Sequence, residues 1–141
     1  MVPLVDVCAL PEETPVPEAL ARIADWGHSR IPIYRGRIDH IVGILYAFDL
    51  FEYPPGATVG KVMHPAYFVP ESKGLQQLLI EMKQSRIHLA VAVDEFGGAS
   101  GIVTLEDIVE EIVGEIEDEY DTPPSRTRIE VKGSRSKAKK G

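Results

Sequence analysis

At 141 residues with 44% apolar side chains, the chain is long enough for one domain or for two small lobes sharing a core. No apolar run approaches the roughly 20 residues needed to cross a bilayer, the start Met1-Val2-Pro3-Leu4-Val5-Asp6 lacks the basic opening of a signal peptide, and a single cysteine, Cys8, excludes an internal disulfide framework. The net charge of −7 divides unevenly: residues 1–121 carry 8 Lys+Arg against 21 Asp+Glu, net −13, while residues 122–141 carry 7 against 1, net +6. An acidic body argues against nucleic acid as the main partner, and the polar, basic end Ser134-Arg135-Ser136-Lys137-Ala138-Lys139-Lys140-Gly141 has the composition of disordered chain.

In chain order, Val5 to Leu10 is a short apolar strand candidate closed by Pro11, with Cys8 a packed thiol suited to a reducing cytoplasm. Thr14 is placed to N-cap a helix with Pro15 at its first position; Ala19, Leu20, Ile23, Ala24 and Trp26 supply apolar positions and Gly27 ends it. After His28-Ser29-Arg30 come a strand Ile31-Pro32-Ile33-Tyr34, a turn around Gly36, a strand from Ile41 to Tyr46, and a short helix starting at Asp49-Leu50-Phe51 that Tyr53-Pro54-Pro55-Gly56 stops.

The same order then returns. Ala66 to Val69 is a strand closed by Pro70, Ser72 is placed to cap a helix carrying Leu75, Leu78, Leu79 and Met82, and Ser85-Arg86-Ile87-His88 leads into strands Leu89 to Val93 and Ser100 to Val103 around the turn Asp94-Glu95-Phe96-Gly97-Gly98. Gly43 corresponds to Gly101 and Asp49 to Asp107 at an offset of 58, whereas Met1-Val2-Pro3 corresponds to Met63-His64-Pro65 at 62. A few inserted residues in the first helical connection reconcile the spacings. Two β-α-β-β-α copies of about 55 residues are each too small to bury a sufficient core. Paired about a pseudo-two-fold axis they close over one interior, with each strand-to-helix turn at a cleft. This predicts an α+β fold with a first repeat over 1–56, a second over 57–121 and a basic tail over 122–141.

The second strand-to-helix turn, Gly101-Ile102-Val103-Thr104-Leu105-Glu106-Asp107, carries the clearest signal. Leu105, Ile108, Val109, Ile112, Val113 and Ile116 recur with helical period as one stripe facing a core. Thr104 and Asp107 fit a capping box, hydroxyl at the N-cap and acid three residues on. The same pair can hold vicinal hydroxyls, because a carboxylate accepts two hydrogen bonds from a diol while the helix N-terminus favours a nearby phosphate. Both readings stand on these residues alone.

The tandem repeat with G-I-V-T-L-E-D at its second turn resembles a pair of cystathionine β-synthase (CBS) domains, a Bateman module. More narrowly, G-H-S-R-I-P-I-Y (Gly27 to Tyr34), V-P-E-S-K (Val69 to Lys73), A-V-A-V-D-E-F-G-G (Ala90 to Gly98) and Gly101 to Asp121 are similar to the CorC/HlyC family of magnesium and cobalt efflux proteins. The resemblance covers residues 1 to about 121 in the family's motif order. It implies a cytosolic regulatory module of a membrane-spanning transporter that binds an adenine nucleotide, ATP or AMP, with or without Mg²⁺, and pairs as a homodimer. Carried over by position, Thr104 and Asp107 match the ribose-binding residues, His28, Ser29 and Arg30 a cleft-lining segment with Arg30 as phosphate contact, and Ile31, Ile102 and Val103 apolar walls for adenine. The chain departs from the family at Tyr46, where a hydroxyl cap is expected before Asp49, and at Met1-Val2-Pro3-Leu4, where Met-Thr-Pro-Arg is common. One occupied site is therefore expected rather than two.

Other chemistries have less support. His28, His40, His64 and His88 are scattered without metal-ligand spacing, so no metal site is assigned. No G-x-S-x-G, P-loop or GxGxxG occurs, which argues against an enzyme. Two alternatives to a nucleotide sensor stay open: a structural dimerisation module whose cleft is empty, and a domain that senses Mg²⁺ directly through Glu115, Glu117, Asp118, Glu119 and Asp121.

Overall fold

A computed structural model describes residues 1–120, with side chains as far as Gly114. The tail over 122–141 and the side chains of the acidic helix end therefore lie outside the described residues. Contacts divide the chain into a unit of Met1–Leu105 and a second that begins at Glu106.

The first unit contains β1 (Val2–Pro3), β2 (Leu10–Pro11), α1 (Val16–Trp26), β3 (Arg30–Arg35), β4 (Arg37–Tyr46), α2 (Val59–Val62), β5 (Phe68–Pro70), α3 (Leu75–Ser85), β6 (Leu89–Val93) and β7 (Ala99–Thr104). One sheet runs β2-β3-β4 and the other β1-β7-β6-β5. Within each, a hairpin (β3-β4, β6-β7) carries one parallel strand on its outer side, β2 against β3 and β5 against β6. This is the expected repeat of one motif.

The two halves exchange their leading segments. Val2, from the start of the first half, pairs with Ile102 in the second half's hairpin. His64, from the start of the second half, bridges Ile44 in the first half's hairpin, through reciprocal backbone bonds of 2.8 Å. Ile44 and Ile102 are 58 residues apart and Val2 and His64 are 62 apart, the two offsets seen in the sequence. Glycine at 43 and 101 makes the exchange possible. A Cβ on Gly43 would stand 2.5 Å from Met63 Sδ and 2.8 Å from the His64 carbonyl oxygen, and one on Gly101 would fall on the Val2 carbonyl oxygen. Backbone can approach backbone this closely only where no side chain intervenes.

Apolar burial follows the same logic. Leu10, Val16, Ala19, Ile23, Ile31, Ile33, Leu45 and Leu50 form a cluster that also takes in Val59 and Val62. A second cluster joins Ile41 and Ile44 of β4 to Leu89, Val91 and Ala99 of β6 and β7, an apolar seam between the two sheets. α1 turns Val16, Ala19 and Ile23 inward and α3 turns Leu78 and Met82 inward, the i, i+3, i+4 spacing of an amphipathic helix.

Several local expectations are corrected. Residues 5–10 are not a strand: Leu4–Asp6 form a 3-10 turn, Val5 is exposed, and only Leu10 and Pro11 pair. Thr14 does not cap α1. Its buried hydroxyl donates to the Pro11 carbonyl at 2.7 Å, and Pro15 takes the N-cap position with Pro17 at N2. Proline has no N–H, and the Val16 N–H is already bound to the Ala57 carbonyl at 3.1 Å, so few donors remain for a capping hydroxyl. Ser72 likewise lies inside a turn closed by the Lys73 N–H on the Pro70 carbonyl, and Gly74 is the N-cap of α3. The short helix α2 is additional.

The described part of the second unit, from Glu106, belongs to α4 (Leu105–Tyr120). Its apolar stripe is unevenly covered: Ile108 is fully buried, whereas Val109 and Val113 are 43% and 46% exposed.

Two of the carboxylates paired with cations in the first unit have a lowered pKa. Arg35 binds Glu12 in a two-pronged pair at 2.6 and 3.1 Å, and Lys73 Nζ donates to both oxygens of Glu81 at 2.8 and 2.9 Å, with Tyr67 Oη adding a bond at 3.1 Å. The bond from Arg35 is the leading cause holding Glu12 below its ordinary pKa, and the bond from Lys73 is the leading cause for Glu81, burial opposing both. A carboxylate that binds its proton less tightly when folded stabilises the fold above the ordinary carboxylate range, and that contribution is lost as pH falls through the folded pKa. Thermal melts between about pH 7 and about pH 3 are expected to show acid destabilisation that is shallower in Glu12→Gln/Glu81→Gln. An identical acid limb in the variant would contradict this.

Candidate functional site

α1 ends at Gly27 in a left-handed conformation, φ 75°, and the chain passes through His28 and Ser29 into β3. The Ser29 carbonyl accepts the Ala47 N–H at 2.9 Å, and in the second half the His88 carbonyl accepts the Leu105 N–H at 2.9 Å. Arg30 lies opposite Tyr46 and Leu89 opposite Thr104. The start of each half's first hairpin strand is thereby fixed beside its own strand-to-helix turn.

Within the first unit these starts converge on a pocket of about 450 Å³. Arg30, Arg86 and His88 bring basic side chains to it, Ser29 a hydroxyl, Tyr46 and Phe48 aromatic rings, and Asp49 a carboxylate. A recess of about 40 Å³ is lined by Arg30, Tyr46, Arg86 and His88 as well, here with Ile44 and Tyr67. Asp49 is already engaged: its Oδ2 lies 2.6 Å from His64 Nε2. Tyr46 stacks on the His64 ring with centroids 4.4 Å apart and planes 21° apart. The Tyr46 departure thus has a structural counterpart, since the residue in the hydroxyl's place holds the histidine that occupies Asp49.

Cations stand out here because most others are neutralised. Arg22, Arg35, Arg37 and Lys73 each meet a carboxylate. Arg30 and Arg86 have no ion-pair partner among the described residues. Unpaired guanidinium groups around a cavity suit an anion with several oxygens, which can accept bidentate hydrogen bonds.

The remaining predicted site residues are distributed as follows. Thr104 is the last residue of β7 and Asp107 the third of α4, both half-buried. Ile102 is half-buried, Val103 is buried, and Ile31 is fully buried in the first half's cluster. His28 is exposed and Ser29 and Arg30 line the pocket. Arg86 and His88 were not among the predicted site residues. The repeat held a signal for them, because they occupy in the second half the place that Gly27 and Ser29 occupy in the first.

A second cleft of about 620 Å³ near the hairpin tips, lined by Arg35, Asp39, His40 and Phe68 among others, contains none of the predicted residues. No helix of the described residues is long and apolar enough to cross a membrane.

Two copies of a β-α-β-β-α motif that exchange leaders define a tandem-repeat module of mixed α and β structure. The chain belongs to the CBS-domain family: the model for "CBS domain" matches residues 2–56 and again 59–114. It is 49% identical to the Magnesium and cobalt efflux protein CorC of Vibrio cholerae, over 72% of this chain and 36% of that protein. The CBS domain of a bacterial CNNM/CorC family Mg²⁺ transporter in complex with ATP is 45% identical with a TM-score of 0.77, covering 81% of this chain and 84% of the other. A CBS-domain pair with bound AMP from Klebsiella pneumoniae is 27% identical with a TM-score of 0.71, covering 81% and 94%. The chain spans 20% and 46% of the length of two of the curated relatives it matches.

Proposed function

We propose that the chain is a non-catalytic module that binds an adenine nucleotide, ATP or AMP, with or without Mg²⁺, and regulates a CorC-type membrane transporter of which it is the cytosolic part. The observation that carries this reading is the pairing of two unneutralised arginines, Arg30 and Arg86, on one pocket of an otherwise acidic body. Solved relatives complexed with ATP and with AMP support it. In this reading Thr104 and Asp107 take the ribose hydroxyls, Ser29, His28 and Arg30 the phosphates, and Ile31, Ile102 and Val103 form the apolar side of the adenine site. The repeats over 1–56 and 57–121 act as the two halves of one sensor, and the module works as a homodimer. Ligand occupancy can bias the transporter only by the ligand's differential affinity for two arrangements of the module.

Calorimetry with ATP and AMP, each with and without Mg²⁺, tests this. Binding is expected in the wild type, lost in Asp107→Ala and kept in Asp49→Ala, because Asp49 is already held by His64. Absence of heat with every nucleotide would leave a structural dimerisation module, and heat from Mg²⁺ alone would point to direct sensing by the acidic helix end.

A further inference from the structure

Arg86 is the one non-glycine residue with positive φ among the described residues, at φ 57° and ψ 42°. It ends α3, with its N–H on the Lys83 carbonyl at 3.3 Å. The corresponding position at the end of α1 is Gly27, φ 75°, the residue that adopts this conformation without steric penalty. Glycine would satisfy the backbone equally well at 86. An arginine there is explained by its side chain, since residues held in sparsely populated conformations cluster at functional sites.

The side chain of Arg86 is exposed, has no ion-pair partner among the described residues, and lines both the 450 Å³ pocket and the adjoining recess together with Arg30. These two arginines come from opposite halves of the repeat, one from the start of β3 and one from the end of α3. The carboxylate on the same pocket, Asp49, is committed to His64. His88, two residues after Arg86, adds a further donor.

We propose that Arg86 is a phosphate-binding residue that acts with Arg30 as a two-armed clamp and selects a nucleoside polyphosphate over a monophosphate. This deepens the nucleotide reading and rests on it. A single phosphate satisfies one guanidinium fork; a chain of phosphates can engage both. The acidic body makes the second arm necessary, because each added phosphate brings charge that the rest of the surface repels.

The test compares wild type, Arg86→Gly and Arg86→Lys by calorimetry with ATP, AMP and inorganic tripolyphosphate. Glycine suits the left-handed position, so the ligand-free melting temperature of Arg86→Gly is expected to match or exceed that of wild type. ATP affinity in Arg86→Gly is expected to fall about tenfold or more, the effect of losing a charge-assisted hydrogen bond, while AMP affinity changes less than about threefold. Tripolyphosphate binding falls with ATP, and Arg86→Lys retains part of both. An unchanged ATP affinity, or equal losses for ATP and AMP, overturns the clamp while leaving nucleotide binding intact. A wild type that binds none of the three overturns the nucleotide reading itself.

Discussion

Gly101→Ala is expected to destabilise the fold by about 1–3 kcal/mol or more, as overpacking of a closed contact does. The added methyl would land on the Val2 carbonyl and within 3.0 Å of Met1 Cγ, where the leader of the first half lies antiparallel on β7. Relief requires the leader to leave the sheet, and with it the Val2–Ile102 pairing. Gly43→Ala meets the Met63 and His64 leader in the same way and should cost a similar amount. A control at Gly56, where an added Cβ meets nothing, should stay near wild type. Chemical denaturation of the three variants checks this, and a Gly101→Ala protein as stable as wild type would mean the leaders are not locked in place.

Ile44→Ala is expected to cost about 2–5 kcal/mol, the range for truncating a buried isoleucine to alanine. Ile44 belongs to the seam that joins β4 to β6 and β7, so the cavity opens between the halves rather than inside one. Neither half has enough interior to remain folded alone, and each contributes a segment to the other's sheet. Unfolding is therefore expected to stay a single cooperative transition in the variant, with far-UV and near-UV signals coinciding. Two separated transitions would show that the halves fold independently and that the seam is not what unites them.

The parts of this fold visible in the sequence are those whose causes are local. The run Leu89 to Val93 is a strand with the predicted bounds, because a continuous apolar segment between a helix end and an Asp-Gly turn has few alternatives. The hairpins, α1, α3 and the repeat itself follow from periodicity and punctuation in the same way. The leader exchange is not legible in the sequence, since a two-residue strand and a single bridge have no period and their partners lie 100 or 20 residues away: Val2 with Ile102, His64 with Ile44. Thr14 fits a cap by sequence but does not serve as one, because a proline-rich first turn removes the donors that make a cap worthwhile. At the site, Arg30 could be singled out from a motif, whereas Arg86 becomes meaningful only when its backbone conformation is set beside that of Gly27. Ile31, which motif matching assigns to a ligand wall, is fully enclosed by the first half's cluster.

The central proposal is that an adenine nucleotide sets its phosphates on the pocket where Arg30 begins β3 and Arg86 ends α3. Titration of the ¹⁵N-labelled protein with ATP and Mg²⁺, followed by backbone amide shifts, tests it most directly. The account predicts saturable shifts at Ser29, Arg30, Arg86, Thr104 and Asp107 that leave Arg35 and Phe68 unmoved. Shifts confined to the hairpin-tip cleft around Arg35 and Phe68, or none at millimolar nucleotide, would contradict it.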